Sequence, residues 1–399
     1  MKKIIHILIF GILVLSLTGC GEEKKTVKET KEEKEQLVIW SYYETKAQQD
    51  GLNRLVDNFN LYQDKYELKW EYVPMTDFMK KLTMAYTEEA LPDIALIDNP
   101  NLSVCIQMGM CEEITTFLNE LQVDENYYPS TLETVSYEGK KYGLPAVCNN
   151  VALIYNKQML DEAGITPPET WEELKEAAHL LTKEGQDGFL LSAIEGEQGA
   201  FQLLPWILST GEAKDSIGEA GTEKAFEYLN GLMEAGYMNK NCVNLSQTDV
   251  ARAFINGEAA MMENGPWVLS MLDESGIDYG ISKLPIDQKS SVIVGGEDFT
   301  VMKGKNLEGA KAFLKYYNQN LVMANFCEMT SVLPPKINVP EFQGENMDIF
   351  QEQMKSAVVR SSIPQWMNLS EELPQAFYKM VSGERDAASA AECLKVEKN

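Results

Sequence analysis

The chain has 399 residues, 44% of them apolar and 9% aromatic, which is enough to bury more than one hydrophobic core. Thirty-five Lys and Arg against 61 Asp and Glu give a formal charge of −26, which repels phosphate backbones and anionic lipid. That balance argues against nucleic acid as a partner, disfavours densely anionic ligands, and leaves only a covalent lipid as a route to membrane contact.

Met1 to Cys20 reads as an export signal. Lys2 and Lys3 give a positive start, an apolar run extends from Ile4 to about Leu17, and small residues precede Cys20. Leu17-Thr18-Gly19-Cys20 resembles a bacterial lipobox, which implies cleavage before Cys20 and lipidation of its sulfur; a plain secretory peptide or an uncleaved anchor is the alternative. Two or three buried acyl chains, palmitate among them, hold a protein to a bilayer, whereas one does so only marginally. From Gly21 to Gln36 the chain is almost entirely Glu, Lys and Thr, with Val27 as its single aliphatic residue. Such a segment cannot offset its ordering entropy, and a flexible spacer is expected.

The folded part opens with a strand at Leu37–Ser41, an exit loop at Tyr42-Tyr43-Glu44, and a helix from Gln48 to Tyr62. A second strand at Lys65–Val73, a helix from Pro74 to Tyr86, and a third strand ending at Ile97-Asp98 follow. This alternation predicts a parallel α/β layer, in which ligands gather beyond the carboxyl ends of the strands. Tyr42, Glu44 and Asp98 stand at those ends. Val151 to Tyr155 predicts a strand buried on both faces. Thr170 and Glu173 form a capping box before a helix that carries His179, the one imidazole beyond the signal, at a position that suits a surface residue. Gly188–Leu191 and Tyr279–Pro285 are read as strands, Leu307–Leu321 and Leu373–Val381 as helices, and Ser291–Met302 as a single strand. Gly295-Gly296 within it permits close approach to a ligand, with Glu297 and Asp298 as hydroxyl acceptors.

Seven cysteines include Cys20; the other six (105, 111, 148, 242, 327 and 393) are irregularly spaced, without a CxxC pair. Free, mostly buried thiols are expected rather than a disulfide framework, and no metal or cofactor site is suggested.

A family resemblance runs through these landmarks. Pro145-Ala-Val147, then Ala152-Leu-Ile-Tyr155-Asn156, Leu160 and Glu162 match the signature of the family 1 extracellular solute-binding proteins, the sugar receptors of ABC importers. Leu37-Val-Ile-Trp40, Pro92-Asp93-Ile94, Gly109-Met-Cys-Glu-Glu-Ile114 and Gly139-Lys-Lys-Tyr-Gly-Leu-Pro145 stand in the family's order before it. Ala253 to Trp267, ending in Gly-Pro-Trp, and Thr330 to Pro335 follow after it. The resemblance implies an α/β, two-lobe periplasmic-binding-protein fold (type II, maltose-binding-protein-like) with three hinge crossings and the ligand cleft between the lobes. The corresponding division is a signal peptide at 1–19, a lipidated Cys and spacer at 20–36, lobe I at 37–147 plus 285–331, and lobe II at 148–284 plus 332–399.

Carried over residue by residue, the resemblance places ligand contacts at Tyr42 to Glu44, at Asp98 or Asn99, and at Asn149, where maltose-binding relatives carry Glu. Trp267 is expected to cover the apolar face of a sugar ring. Trp366 is expected to line the cleft, with Glu195, Phe201 and Trp206 as weaker candidates and Trp171 as a core anchor. The function implied is that of a lipoprotein on the outer face of a bacterial membrane, the long spacer suiting a Gram-positive cell. It would act as a monomer that delivers a carbohydrate to ABC permease subunits and would not be an enzyme. An extracellular sugar sensor and a carboxylate-dependent glycan-cleaving enzyme are the alternatives.

Overall fold

The computed structural model describes residues 33–344, 346–363 and 365–395, so the signal, Cys20 and most of the spacer lie outside the described residues. The ordered chain starts earlier than the spacer composition suggests. Glu35 and Gln36 already pair with Tyr66 and Glu67. The Lys34 ammonium donates to the carbonyls of Asn60 and Gln63, both at 2.9 Å, and pins the entry.

Strand β1 (Glu35–Ser41) runs parallel to β2 (Tyr66–Tyr72) on one side and β3 (Ile94–Asp98) on the other. Strand Glu297–Val301 then joins antiparallel to β3, and Gly143–Pro145, antiparallel to it in turn and so running with β1–β3, completes a five-stranded sheet. The Ile-Ala-Leu-Ile-Asp sequence of β3 is buried throughout because helices cover both faces of a central strand. Helix α1 (Lys46–Tyr62) begins two residues before the expected position, because Thr45 and Gln48 close a capping box. It buries Leu52, Leu55, Val56 and Phe59. The long helix expected at Leu307–Leu321 is two helices, Leu307–Tyr317 and Asn320–Thr330. Their Phe313, Tyr317 and Phe326 enclose Phe299 of the sheet.

The second core forms around Ala152–Asn156, flanked by the antiparallel strands Met261–Asn264 and Tyr279–Ser282. The helix Trp171–Leu181 carries the predicted Thr170–Glu173 capping box, and its Trp171 is buried with its ring 4.4 Å from that of Tyr228. His179 is exposed on this helix, beside Tyr237. Asn156, at the end of the strand, caps the next helix through the Met159 amide, a structural role. Helices Glu197–Ser209 and Trp366–Val381 pack on this core. Gly188–Leu191 is not a strand: Asp187 and Leu190 make isolated bridges only. A side chain at Gly188 would lie 2.1 Å from the Ala178 carbonyl, so the segment is wedged under the preceding helix instead of joining a ladder.

Two hydrophobic cores result, and the chain passes between them three times. Val147 packs in the first and Cys148 in the second; Val294 in the second and Phe299 in the first; Val332 in the first and Leu333 in the second. The crossings lie side by side. Cys148 and Leu333 exchange backbone hydrogen bonds of 2.9 and 3.0 Å, and Asn149 and Gly295 do the same. The strand expected over Ser291–Met302 is therefore broken: Ile293–Val294 pairs with Val358–Val359, and Glu297–Val301 joins the first sheet. The break is at Gly296, whose φ of +121° is closed to residues with a side chain. A Cβ there would meet the Val147 carbonyl at 2.3 Å, so this glycine serves the crossing chains. Among the described residues all six cysteines are free thiols, five of them buried and Cys393 exposed.

Candidate ligand-binding cleft

A cleft of about 890 Å³, counting its open mouth, lies over the crossings and is lined from both cores. From the first core come the loop after β1, with Tyr42 and Glu44, and the adjacent strand ends carrying Asp98 and Glu297. From the second come Asn149 at the crossing, Glu197 and Phe201 one turn apart on the same helix face, and Trp267. Six of the expected contacts thus meet in one place: Tyr42, Glu44, Asp98, Asn149, Trp267 and Glu297.

Asp298 and Trp366 do not line it. In a strand successive side chains point to opposite faces, so once Glu297 faces the cleft Asp298 faces inward. There it accepts hydrogen bonds from the Asn99 amide at 3.0 Å and the Thr134 hydroxyl at 3.2 Å. Trp366 is buried at the start of its helix, where Gln365 turns the chain with φ of 54° and sends the indole into the second core. Of the weaker candidates Phe201 reaches the cleft, Glu195 is exposed outside it, and Trp206 is core, donating to Glu263 at 2.6 Å. Asn99 is likewise below the surface.

The residue the sequence did not single out is Arg360. Its Nη2 donates to Asp98 at 3.0 Å, its Nη1 to Glu197, and its Nε to the Val294 carbonyl at 3.2 Å. The guanidinium sits 4.8 Å over the Phe201 ring. All its nitrogens are engaged and it is buried, so it joins a carboxylate of the first core to one of the second. The available signal was an arginine inside the apolar run Ala357–Ile363. The sequence pointed to Glu195, two residues before Glu197, but Glu195 stands in the turn ahead of Gly196, and the helix that aims a carboxylate at the cleft begins only at Glu197.

Burial dominates the electrostatics. It pushes the Glu297 carboxyl up to about 7, with the charge of Asp98 adding and the hydroxyls of Tyr42 (2.9 Å) and Tyr43 (3.1 Å) opposing. Burial also raises Glu197 to about 7 against the pull of Arg360, and raises Asp98 against the same guanidinium. The cleft therefore offers hydrogen-bond acceptors in carboxylates and an amide, flanked by a half-buried indole whose ring centre is 6.1 Å from that of Phe201.

The sequence profile of a family described as "Bacterial extracellular solute-binding protein" matches residues 54–354. The chain is 24% identical over 353 residues to the multiple sugar-binding protein of Streptococcus mutans, covering 82% of this chain and 81% of that one. Among solved structures it is similar to the GacH receptor of Streptomyces glaucescens, with a TM-score of 0.80 and 24% identity over 91% of this chain and 97% of that one. It is also similar to maltose-bound MalE3 of T. maritima, with a TM-score of 0.82 and 18% identity over 90% and 98%. The two-lobe, maltose-binding-protein-like fold implied by the sequence landmarks is the fold present.

Proposed function

This chain belongs to the bacterial extracellular solute-binding proteins, and from that premise we propose that it captures a carbohydrate between its lobes and presents it to the permease of an ABC importer. The observation that carries this reading is the cleft over three chain crossings, with acceptors from both cores and an indole on one wall. Carboxylates and amides can satisfy a ring of hydroxyls, and a rigid aromatic plane covers the apolar face of a pyranose at low entropic cost. The name of the Streptococcus mutans relative points the same way.

We take Tyr42, Glu44, Asp98, Asn149, Trp267 and Glu297 as ligand contacts, with Glu197 and Phe201 added. The lobes divide at 147/148, 295/296 and 332/333. Residues 285–295, expected from the sequence in lobe I, then go with lobe II, a division supported by the packing of Ile293 and Val294 in the second core. The protein is a monomeric binder rather than an enzyme, held to the outer face of a Gram-positive membrane by lipid on Cys20. Loss of labelling with a radioactive fatty acid in Cys20→Ala would check the anchor; unchanged labelling would refute it.

The test of the main reading is titration of the soluble mature domain with mono- and oligosaccharides, followed by tryptophan fluorescence and melting temperature. A saturable response to at least one sugar is expected. Silence across sugars, with a response to amino acids or metal ions, would overturn it.

A further inference from the structure

Asp98 and Glu297 are direct cross-strand partners in the register of the first sheet, and both line the cleft. Like charges placed opposite each other on one sheet face are destabilising, more so where water is scarce. One cation could relieve the pair, but Arg360 is already divided between Asp98 and Glu197, and its third donor is spent on the Val294 carbonyl. Glu297 has only two neutral donors, the hydroxyls of Tyr42 and Tyr43. A fourth carboxylate, Glu44, stands at the rim, and no Lys lines the cleft. Four carboxylates therefore face one saturated guanidinium. Beside them Asn149, 8% exposed, lines the cleft with its backbone held by Gly295, so its side-chain amide is left to face the cavity. The amide can donate as well as accept, whereas the four carboxylates can only accept when ionised, so the demand of the cavity as a whole is for a ligand that brings donors.

We propose that the ligand carries positive charge: an amino sugar, or an oligosaccharide with at least one free amine, its ammonium seated against Glu297 and Asp98. The proposal rests on the carbohydrate reading and narrows it. Hydroxyl groups could satisfy the same lone pairs, but they leave the excess charge uncompensated. An ammonium supplies three donors and the missing charge together. A carboxylated sugar is disfavoured, because the one cation in the cleft is already taken.

The test is calorimetric titration at neutral pH and low salt with matched sets that differ in one group. These are glucose and glucosamine, galactose and galactosamine, mannose and mannosamine, and a β-1,4-linked dimer carrying hydroxyl, amine or N-acetyl at carbon 2; ethanolamine is the sugar-free amine. At least one amine member should bind on the order of tenfold tighter than its hydroxyl and N-acetyl counterparts. Glu297→Gln should collapse that ratio. A second readout needs no ligand. With the folded Glu297 at about 7 against an ordinary 4.5, its charge is disfavoured in the folded protein, so the empty wild type loses stability as pH rises from 4.5 to 7. Empty Glu297→Gln should therefore melt higher than wild type at pH 8, with the gap closing by pH 5. Equal or tighter binding of the neutral members overturns the charge requirement and leaves the carbohydrate reading standing, as does the absence of a melting gap at pH 8. No binding by any sugar overturns both, and ethanolamine binding as well as the amino sugars overturns the sugar component.

Discussion

Arg360 is the side chain on which the cleft's charges converge, and its removal separates two effects. Arg360→Met leaves Asp98 and Glu197 without their partner, and breaking a buried ion pair costs about 3–5 kcal/mol. Because both carboxyls are already raised by burial, protonation relieves much of the damage. Urea denaturation should show the full loss at pH 8 and a markedly smaller one at pH 5; an equal loss at both would mean that packing over Phe201, not charge, is what Arg360 provides. Asp298→Ala makes the opposite contrast. It takes the carboxylate acceptor from the Asn99 amide at about 1–3 kcal/mol, while the Thr134 hydroxyl keeps the Thr131 carbonyl at 2.7 Å, and it should leave ligand affinity unchanged. A tenfold loss of affinity in a folded Asp298→Ala would place it in the site after all. Of the candidate contacts, Tyr42, Glu44 and Asp98 were legible because strand ends can be found from hydrophobic runs. Asp298 misled because strand alternation tells which residues share a face but not which face meets the ligand. Arg360 was illegible because its partners stand more than 160 residues away and no local pattern marks such a pairing.

Among the elements, the crossings show most clearly where sequence reading stops. The β-branched run through Ser291–Met302 looks like one strand, and each half does pair; that the halves belong to different sheets is decided by tertiary partners, Val358–Val359 for one and β3 for the other. Gly296 is the joint. Gly296→Ala must adopt φ of +121° with a Cβ 2.3 Å from the Val147 carbonyl, and should cost about 3 kcal/mol or more. A thermal melt close to wild type would show that the crossing can be rebuilt without the glycine. The capping boxes at Thr45–Gln48 and Thr170–Glu173 are both present. The second was read from the sequence; the first was missed, although its spacing is the same, because Gln48 was taken as the helix start. Gly188–Leu191 failed as a strand for want of a partner along its length, information no window of sequence contains.

For the whole molecule, the order of landmarks was informative well beyond any single motif, since a chain that crosses three times between two cores leaves a long-range signature that helix and strand propensities alone do not. Such a body closes by hinge rotation, and a ligand that touches both lobes shifts the population toward the closed form by its differential affinity. The Arg360 pairs with Asp98 and Glu197 span the two cores. Affinity should also follow the titration of the cleft. Glu297 and Glu197 accept hydrogen bonds best when ionised, and burial raises both to about 7, so binding of a neutral sugar should strengthen between pH 6 and 8, while binding of an amino sugar should fall again once its own ammonium deprotonates. A flat profile over that interval in the wild type would remove these carboxylates from the contact set. The most direct test of the account is a pair of titrations, wild type and Trp267→Ala, against the same carbohydrate panel. The account predicts one-to-one saturation of the wild type by at least one sugar, and binding weaker by roughly 30-fold, about 2 kcal/mol, in a Trp267→Ala protein that remains folded. Wild type that binds no carbohydrate, or a sugar held equally well without Trp267, would contradict it.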